Sequence, residues 1–383
     1  MAEDPRHSAD VVIVGGGIIG CTIALRLAQA GKKVAVLDRG EPGAEASSAA
    51  AGMLAPQGEL IEPKPFLDLC MASRDLYPHF AQEIEELAGG AVGYRNEGSL
   101  LVALNDQQAA DLAGIQHRQV DQKSPIQLLS SGDIHARIAG LSPEIRAGLF
   151  VAGDHWVDNE RVMQGLVRAC QRAGATIRPR SFVAKLVRRG DNLERMEVQN
   201  QEGSSEAWSA QTYVLAAGSW SGELVAPLGI SLPLIPCRGQ MIEFESERDL
   251  PYVVRAGHHY LVPRSPRRVI VGTTAEHVGF EKAVTAEGLL SILEGASRLA
   301  PSLAAMRFRR AWAGLRPDTT DHLPILGRGE ISNLMFATGH FRNGILLAPI
   351  TGEIIRDLIV KGSSIHPLDI YRPTRFASAK TLP

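Results

Sequence analysis

An apolar strand runs into a glycine-rich turn and an amphipathic helix near the N-terminus. Apolar strands return far downstream, and blocks with turn-punctuated β patterning lie between them. These three observations predict an α/β fold: a Rossmann-like domain discontinuous in sequence, and a second α+β domain built on a mixed or antiparallel sheet.

The elements follow in order. Asp10-Val11-Val12-Ile13-Val14 is a short continuous apolar run, as expected of a parallel strand buried on both faces. Gly15-Gly16-Gly17-Ile18-Ile19-Gly20 follows at once. From Cys21 to Ala30 the apolar residues Ile23, Ala24, Leu27 and Ala28 recur at helix spacing, and Gly31 supplies a stop. Lys33 to Asp38 is a second strand, which completes a βαβ unit. Arg161 to Ala173 reads as an amphipathic helix leading through Gly174 into a strand at Thr176-Ile177. Thr212 to Ala217 is another buried strand ending at Gly218, and Leu334 to Thr338 a further one before Gly339. A last helix is expected from Leu346 to Ile359, with Pro349 tolerated only in its first turn. Residues 99–104, 241–244, 259–262 and 269–273 suggest antiparallel strands, and Gln199 to Ser205 a hairpin loop turning at Gly203. The expected division is therefore residues 1–59, 151–231 and 313–383 for the nucleotide domain, and 60–150 with 232–312 for the second.

Composition limits the function. At 383 residues the chain is long enough for two connected domains without staples. Forty basic against forty-two acidic residues give a net charge of -2, which offers no bulk attraction to nucleic acid or anionic lipid. The four cysteines, Cys21, Cys70, Cys170 and Cys237, form no C-x-x-C pair and read as small buried hydrophobes. No basic head with an apolar core opens the chain, and no apolar run reaches the ~20 residues of a membrane span. A cytoplasmic, soluble protein is the expectation, with peripheral membrane contact left open. The histidines show no H-E-x-x-H spacing, so no metal site is expected. Gly218-Ser219-Trp220-Ser221-Gly222 is not a nucleophile elbow, because Trp220 stands where the serine is required.

Gly15, Gly17 and Gly20 fit G-x-G-x-x-G between strand and helix. The first allows a tight turn, the second lets backbone approach a pyrophosphate, and the third permits close helix–strand packing. The helix N-terminus supplies N–H groups and partial positive charge to phosphates. Asp38, at the end of the second strand, stands where a carboxylate accepts from ribose hydroxyls. A P-loop is disfavoured, since Cys21-Thr22 replaces the Lys-Ser/Thr it needs. The motif alone does not separate NAD from FAD, but a sheet completed by far-downstream segments favours the longer flavin cofactor.

Four pieces of the chain carry a resemblance that covers nearly its whole length. They are residues 10–38, the loop Ser47-Ser48-Ala49-Ala50-Ala51-Gly52-Met53-Leu54-Ala55-Pro56, the string His259-Tyr260-Leu261-Val262-Pro263-Arg264, and the pair Gly314-Leu315-Arg316-Pro317 and Gly339-His340-Phe341-Arg342-Asn343-Gly344-Ile345-Leu346-Leu347. The sequence resembles the glycine oxidase and D-amino acid oxidase family of flavoproteins, most of all the bacterial glycine oxidases of thiazole (thiamine) synthesis. It departs from the eukaryotic-type D-amino acid oxidase pattern, where glycines and a tyrosine follow the histidine. The resemblance implies a glutathione-reductase-type FAD domain, non-covalent FAD and oxidation of a small amine with O2 as acceptor. It also implies a homo-oligomer, often a tetramer, and a thiazole-synthesis partner. Sarcosine oxidases of this kind attach flavin to a cysteine shortly before the equivalent of Arg316-Pro317; no cysteine follows Cys237 here, which rules out that linkage.

The resemblance also implies site residues. FAD contacts are expected from Gly15, Gly17, Ile18, Ile19, Gly20, Asp38 and Arg39, and from Ser47, Ser48, Ala51, Gly52 and Met53 in the flavin loop. Further contacts are expected from Val183, Ala217, Gly218, Trp220 and Gly314, and from His340, Arg342, Asn343, Gly344, Ile345 and Leu346 around the last helix. Arg316 is implied as the guanidinium fork for a substrate carboxylate and Tyr260 as a third contact, with Met53 and Arg342 lining the substrate. Taken alone, Arg316 also reads as an interdomain salt bridge, Tyr260 as a sheet aromatic, Met53 as packing filler and Arg342 as a plain loop arginine. The implied reaction moves hydride from Cα to flavin N5. It gives imine or 2-oxo acid, ammonia and H2O2 from glycine first, or from sarcosine or a small D-amino acid. A D-amino acid dehydrogenase feeding a quinone or carrier, and a non-catalytic flavin-binding subunit, are the alternatives.

Overall fold

The computed structural model describes residues 7–59, 61–118, 126–201 and 203–380. Residues 1–6, at which a leader segment would begin, lie outside that set.

The sheet that carries the glycine turn is built round Ser8–Val14. Val34–Leu37 and then Thr176–Arg178 add in parallel on one side, and Ser205–Leu215 and Leu334–Thr338 on the other. Ile325–Arg328 closes that edge antiparallel. Val14 is level with both Leu37 and Leu215, so the carboxyl ends of the central strands share one rim. From Ser8–Val14 the chain first builds to one side and later returns to the other. That reversal opens a crevice at the strand ends, where α/β sheets place ligands. Phe182–Arg189 and Asn192–Gln199 form an antiparallel meander on Ser205–Leu215, and Gly203 sits in the predicted hairpin turn at φ +75°.

The second sheet runs Arg307–Thr319, Leu234–Glu245, Arg268–Gly272, His259–Arg264, Val253–Ala256, Ser99–Ala103, Ala147–Val151, Ile126–Ser130. Every pair is antiparallel except Val253–Ala256 with Ser99–Ala103. Helix Ala286–Leu299 packs its apolar stripe on one face, burying Ile292, Ala296 and Leu299.

The structure departs from the sequence expectation at three places. Helix Lys64–Ala88, expected with the second domain, presents Phe66, Tyr77, Phe80 and Ile84 to the core shared with helices Ile18–Gln29 and Gly344–Val360. Its stripe finds an apolar partner there, because the last helix buries residues on nearly all sides. Strand Arg307–Thr319 pairs with Leu234–Glu245 over its whole length, so no break falls at residue 312. The last helix starts at Gly344, which puts Pro349 in the second turn rather than the first. Proline removes one ladder donor there. Buried Ser73 inserts beside it, donating to the Leu346 carbonyl at 2.6 Å and accepting from the Ile350 N–H at 3.4 Å. All four cysteines are buried and free. Among the described residues no helix is long and apolar enough to cross a membrane.

Candidate active site

A cavity of about 530 Å³ opens at the rim of the first sheet and continues to the face of the second. At one end its wall is backbone. Gly15 has φ +102°, and a Cβ there would run into the Ala216 carbonyl. A Cβ on Gly20 would overlap the Gly15 carbonyl oxygen. Gly20 itself does not line the cavity, so its part is to let helix and strand close up. Asp38 accepts from the N–H of Gly16 at 2.6 Å and of Gly40 at 2.8 Å. These bonds orient the carboxylate and leave each oxygen a second lone pair. Ser47 Oγ accepts from the Ile18 N–H at 2.9 Å, at the start of the first helix. Arg39 lies 3.6 Å from the Trp220 ring centroid and 2.9 Å from Glu45, which also takes Lys282 at 2.7 Å.

The loop from Ser47 to Met53 is held from outside the cavity. Asn159 donates to the carbonyls of Ser47 and Ser48, at 2.8 and 3.0 Å. Arg264 donates to the Ala51 carbonyl at 2.7 Å and to Asn159 at 2.9 Å. Burial is the main cause that lowers the Arg264 pKa to about 10, still far above neutrality. Gly52 has φ +73°, and a Cβ would strike the Val157 carbonyl. Ser48 points away from the main cavity, toward Asp158 and Asn159, because the short helix Ala46–Ala49 turns it outward from Ser47.

At the other end the wall is side chain. Residues directly opposite in an antiparallel pair share a face. The register therefore sets Trp312, Met241, Gly272, Tyr260 and Arg255 in one row across five strands. Arg316 lies two pairs further along the same face. Gly239 and Gly272 make the room: a Cβ on the first would enter the Arg316 guanidinium, and on the second the Tyr260 ring. Arg316 donates to Thr273 Oγ1 at 2.7 Å and to the Thr274 carbonyl at 3.1 Å. Both acceptors are neutral. Tyr260 is 3% exposed, with its hydroxyl 3.3 Å from Met241 Sδ. Arg342, in a short 3-10 turn, reaches Glu59 at 3.2 Å. His340 contacts Thr351 Oγ1 at 3.1 Å, and burial pushes its pKa down to about 3. It is a neutral histidine.

All the predicted cofactor and substrate residues line this cavity except Gly20 and Ser48. Sequence reasoning missed Glu59, Gly239 and Thr273, and also Glu45. Glu59 stands just past the flavin loop with no motif around it; Gly239 is legible only from strand register, and Thr273, one residue past strand Arg268–Gly272, and Glu45 only from their contacts with distant residues.

The cradle fits a dinucleotide. Two glycines take no Cβ without a backbone clash, the first helix presents its N-terminus, and a carboxylate is fixed at the second strand end. The N-terminus of helix Gly344–Val360 also faces the cavity, and its N-cap residue Asn343 makes no side-chain capping bond. Fold and site together define a dinucleotide-binding protein whose cavity ends on the guanidinium groups of Arg316 and Arg342.

Comparison with known proteins sharpens this. The family described as FAD dependent oxidoreductase matches residues 10–358, and the chain belongs to it. It is 38% identical to the bifunctional protein ThiO/ThiG of Trichormus variabilis, over 98% of this chain and 56% of that protein. It is 34% identical to glycine oxidase of Bacillus subtilis, over 93% of this chain and 94% of that one. Among solved structures, glycine oxidase from Geobacillus kaustophilus superposes with a TM-score of 0.90 at 32% identity, covering 96% of this chain and 99% of that one. The chain thus spans a little over half the length of the bifunctional relatives and nearly all of the single-function ones.

Proposed function

We propose that the chain catalyses oxidative deamination of a small amino acid, with glycine the leading substrate and sarcosine or a small D-amino acid next. One observation carries this reading. Arg316 is a guanidinium in the flavin-family cavity that pairs with neutral acceptors and, among the described residues, with no carboxylate. A substrate carboxylate supplies the missing anion. The planar fork accepts it bidentately, and the Tyr260 hydroxyl adds a contact when it turns from Met241.

FAD, which Gly15, Gly17, Ile18, Ile19, Asp38, Ser47, residues 51–53 and residues 340–346 would hold non-covalently, would supply the acceptor for the hydride that leaves Cα. The chain supplies position and charge. Arg316, Arg342 and Arg255 outnumber Glu59, and like charge nearby lowers the pKa of a bound ammonium. The amine nitrogen then gives its proton to water, and hydride departure becomes favourable. Burial keeps His340 neutral, so it adds no positive charge to the site. In this reading the sheet around Ser8–Val14 is the flavin half and the sheet carrying Tyr260 the substrate half. Electrons pass on to O2, and the imine hydrolyses or reaches a thiazole-forming partner. Relatives that carry this domain in a bifunctional protein support such a hand-over. A cytoplasmic homo-oligomer belongs to the same reading.

The test is anaerobic mixing of the flavin-loaded protein with glycine, sarcosine, D-alanine, D-proline and L-amino acids. Bleaching by glycine, and H2O2 on readmitting air, is the expected result. No bleaching with any amine points to the non-catalytic subunit, and bleaching with slow reoxidation by air to the dehydrogenase.

A further inference from the structure

Around Tyr260 the cavity wall carries two guanidinium groups, Arg316 and Arg342, and one carboxylate, Glu59; the other charged lining residues, Asp38, Arg39, Glu45, Lys185 and Glu223, belong to the part built on the first sheet and its loops. Left alike, the two cations would suit a ligand with two acidic groups. They are not alike. Arg316 meets Thr273 Oγ1 and the Thr274 carbonyl, both uncharged. Arg342 Nη2 lies 3.2 Å from Glu59 Oε2 and 3.3 Å from Oε1.

Glu59 is fixed from behind. Arg255, outside the cavity lining, brings Nη1 to 3.0 Å of Glu59 Oε1. That nitrogen makes no aligned hydrogen bond, so the contact is one of charge. The preceding residue, Gly58, donates its N–H to buried Asp154 at 3.1 Å, and Ser99 holds the same oxygen at 2.6 Å. A Cβ on Gly58 would strike that carboxylate. The backbone before Glu59 is pinned, and its carboxylate faces Arg342.

Resting on the reading of this cavity as an amino acid oxidase site, we propose that Glu59 is a positioning residue that sets substrate charge. By engaging Arg342 it leaves Arg316 as the single cation available to substrate and restricts the site to amines with one carboxylate. A second acidic group, as in iminodiacetate or D-aspartate, meets Glu59 and an arginine already paired. Selectivity arises as much from the repulsive element as from the attractive one.

The flavin-loaded full chain tests this through binding as well as turnover. Glycolate and malonate, with one and two carboxylates, are titrated by perturbation of the flavin spectrum, and turnover of glycine and iminodiacetate is compared. Wild type should bind glycolate at least ~10-fold more tightly than malonate, a tenfold ratio being about 1.4 kcal/mol. Glu59→Gln should lower that ratio by ~10-fold or more and raise iminodiacetate turnover relative to glycine by a similar factor. Glu59→Asp, keeping the charge, should restore part of the preference. An unchanged ratio in Glu59→Gln overturns the inference, as does a rise in the glycine KM with selectivity intact. If that variant fails to hold flavin, wild type alone decides, since malonate binding as tightly as glycolate overturns it. Failure of wild type to be reduced by glycine defeats the functional reading instead. Reduction by glycine with an unchanged selectivity ratio defeats only the role of Glu59.

Discussion

The two ends of the cavity are made by different means. The nucleotide end is backbone: glycines at positions 15, 17 and 20, helix N–H groups, and one aspartate bonded two residues away at Gly40 and across the turn at Gly16. The end that the proposed reading gives to the substrate carboxylate is side chain. Its Arg316, Tyr260, Arg342 and Glu59 come from three strands or turns and a loop spread from residue 59 to residue 342. A phosphate has the same shape in every dinucleotide, so a short local motif serves it. A substrate differs from enzyme to enzyme, so its contacts are distributed over long-range pairings that change one residue at a time.

Four substitutions would break or sharpen this contrast. The largest effect belongs to Gly20→Val. Its Cβ meets the Gly15 carbonyl, a clash with backbone that cannot turn aside. The purified variant should carry no flavin and melt well below wild type, overpacking of this kind costing about 1–3 kcal/mol or more. Flavin-loaded Gly20→Val with a wild-type melting point would refute the backbone account of that end.

Arg316→Leu comes next and should act at the other end alone. FAD should stay bound, while kcat/KM for glycine falls ~100- to 1,000-fold, as for loss of one partner of a buried charged contact. Retention of more than a tenth of wild-type kcat/KM would remove the carboxylate fork from the reading.

Tyr260→Phe removes one neutral hydroxyl whose resting partner is the Met241 thioether, a weak acceptor. A rise of ~3- to 10-fold in KM with kcat nearly unchanged is expected, the effect of losing one net hydrogen bond. A drop in kcat instead would assign the hydroxyl to the reaction itself.

The last effect is one of pH, and leaves both ends of the cavity chemically unchanged. Burial raises the Asp154 carboxyl from 3.8 to about 7, against the lowering effects of Ser99, Arg255, Arg74 and the Gly58 N–H. The folded state holds this proton more tightly than the unfolded one. The stability it contributes is therefore fully present below pH 3.8, and is lost as pH rises through about 7. Asp154→Asn should lose that dependence, so its melting point relative to wild type should be higher at pH 8 than at pH 5. Parallel pH profiles for the two proteins would contradict the assignment.

The contrast also explains what could be read in advance. The βαβ unit, the parallel strands at 212 and 334 and the glycine cradle follow from local pattern, because period and turn chemistry are properties of neighbouring residues. Arg316 and Tyr260 were legible only through resemblance, since nothing within ten residues of either marks it as functional. Glu59 was not legible at all: its meaning is a distance to Arg342, across a gap of 283 residues. Helix Lys64–Ala88 went to the other core for a related reason. Its stripe shows that one face is buried, but not against what.

By itself, then, the sequence determined the kind of cofactor site, since a glycine turn between strand and helix works through backbone atoms every chain has. Tertiary structure alone decided which arginine stands free. Charge pairing depends on distance in space, and strand register brought Gly239 beneath Arg316 while a pinned loop turned Glu59 toward Arg342.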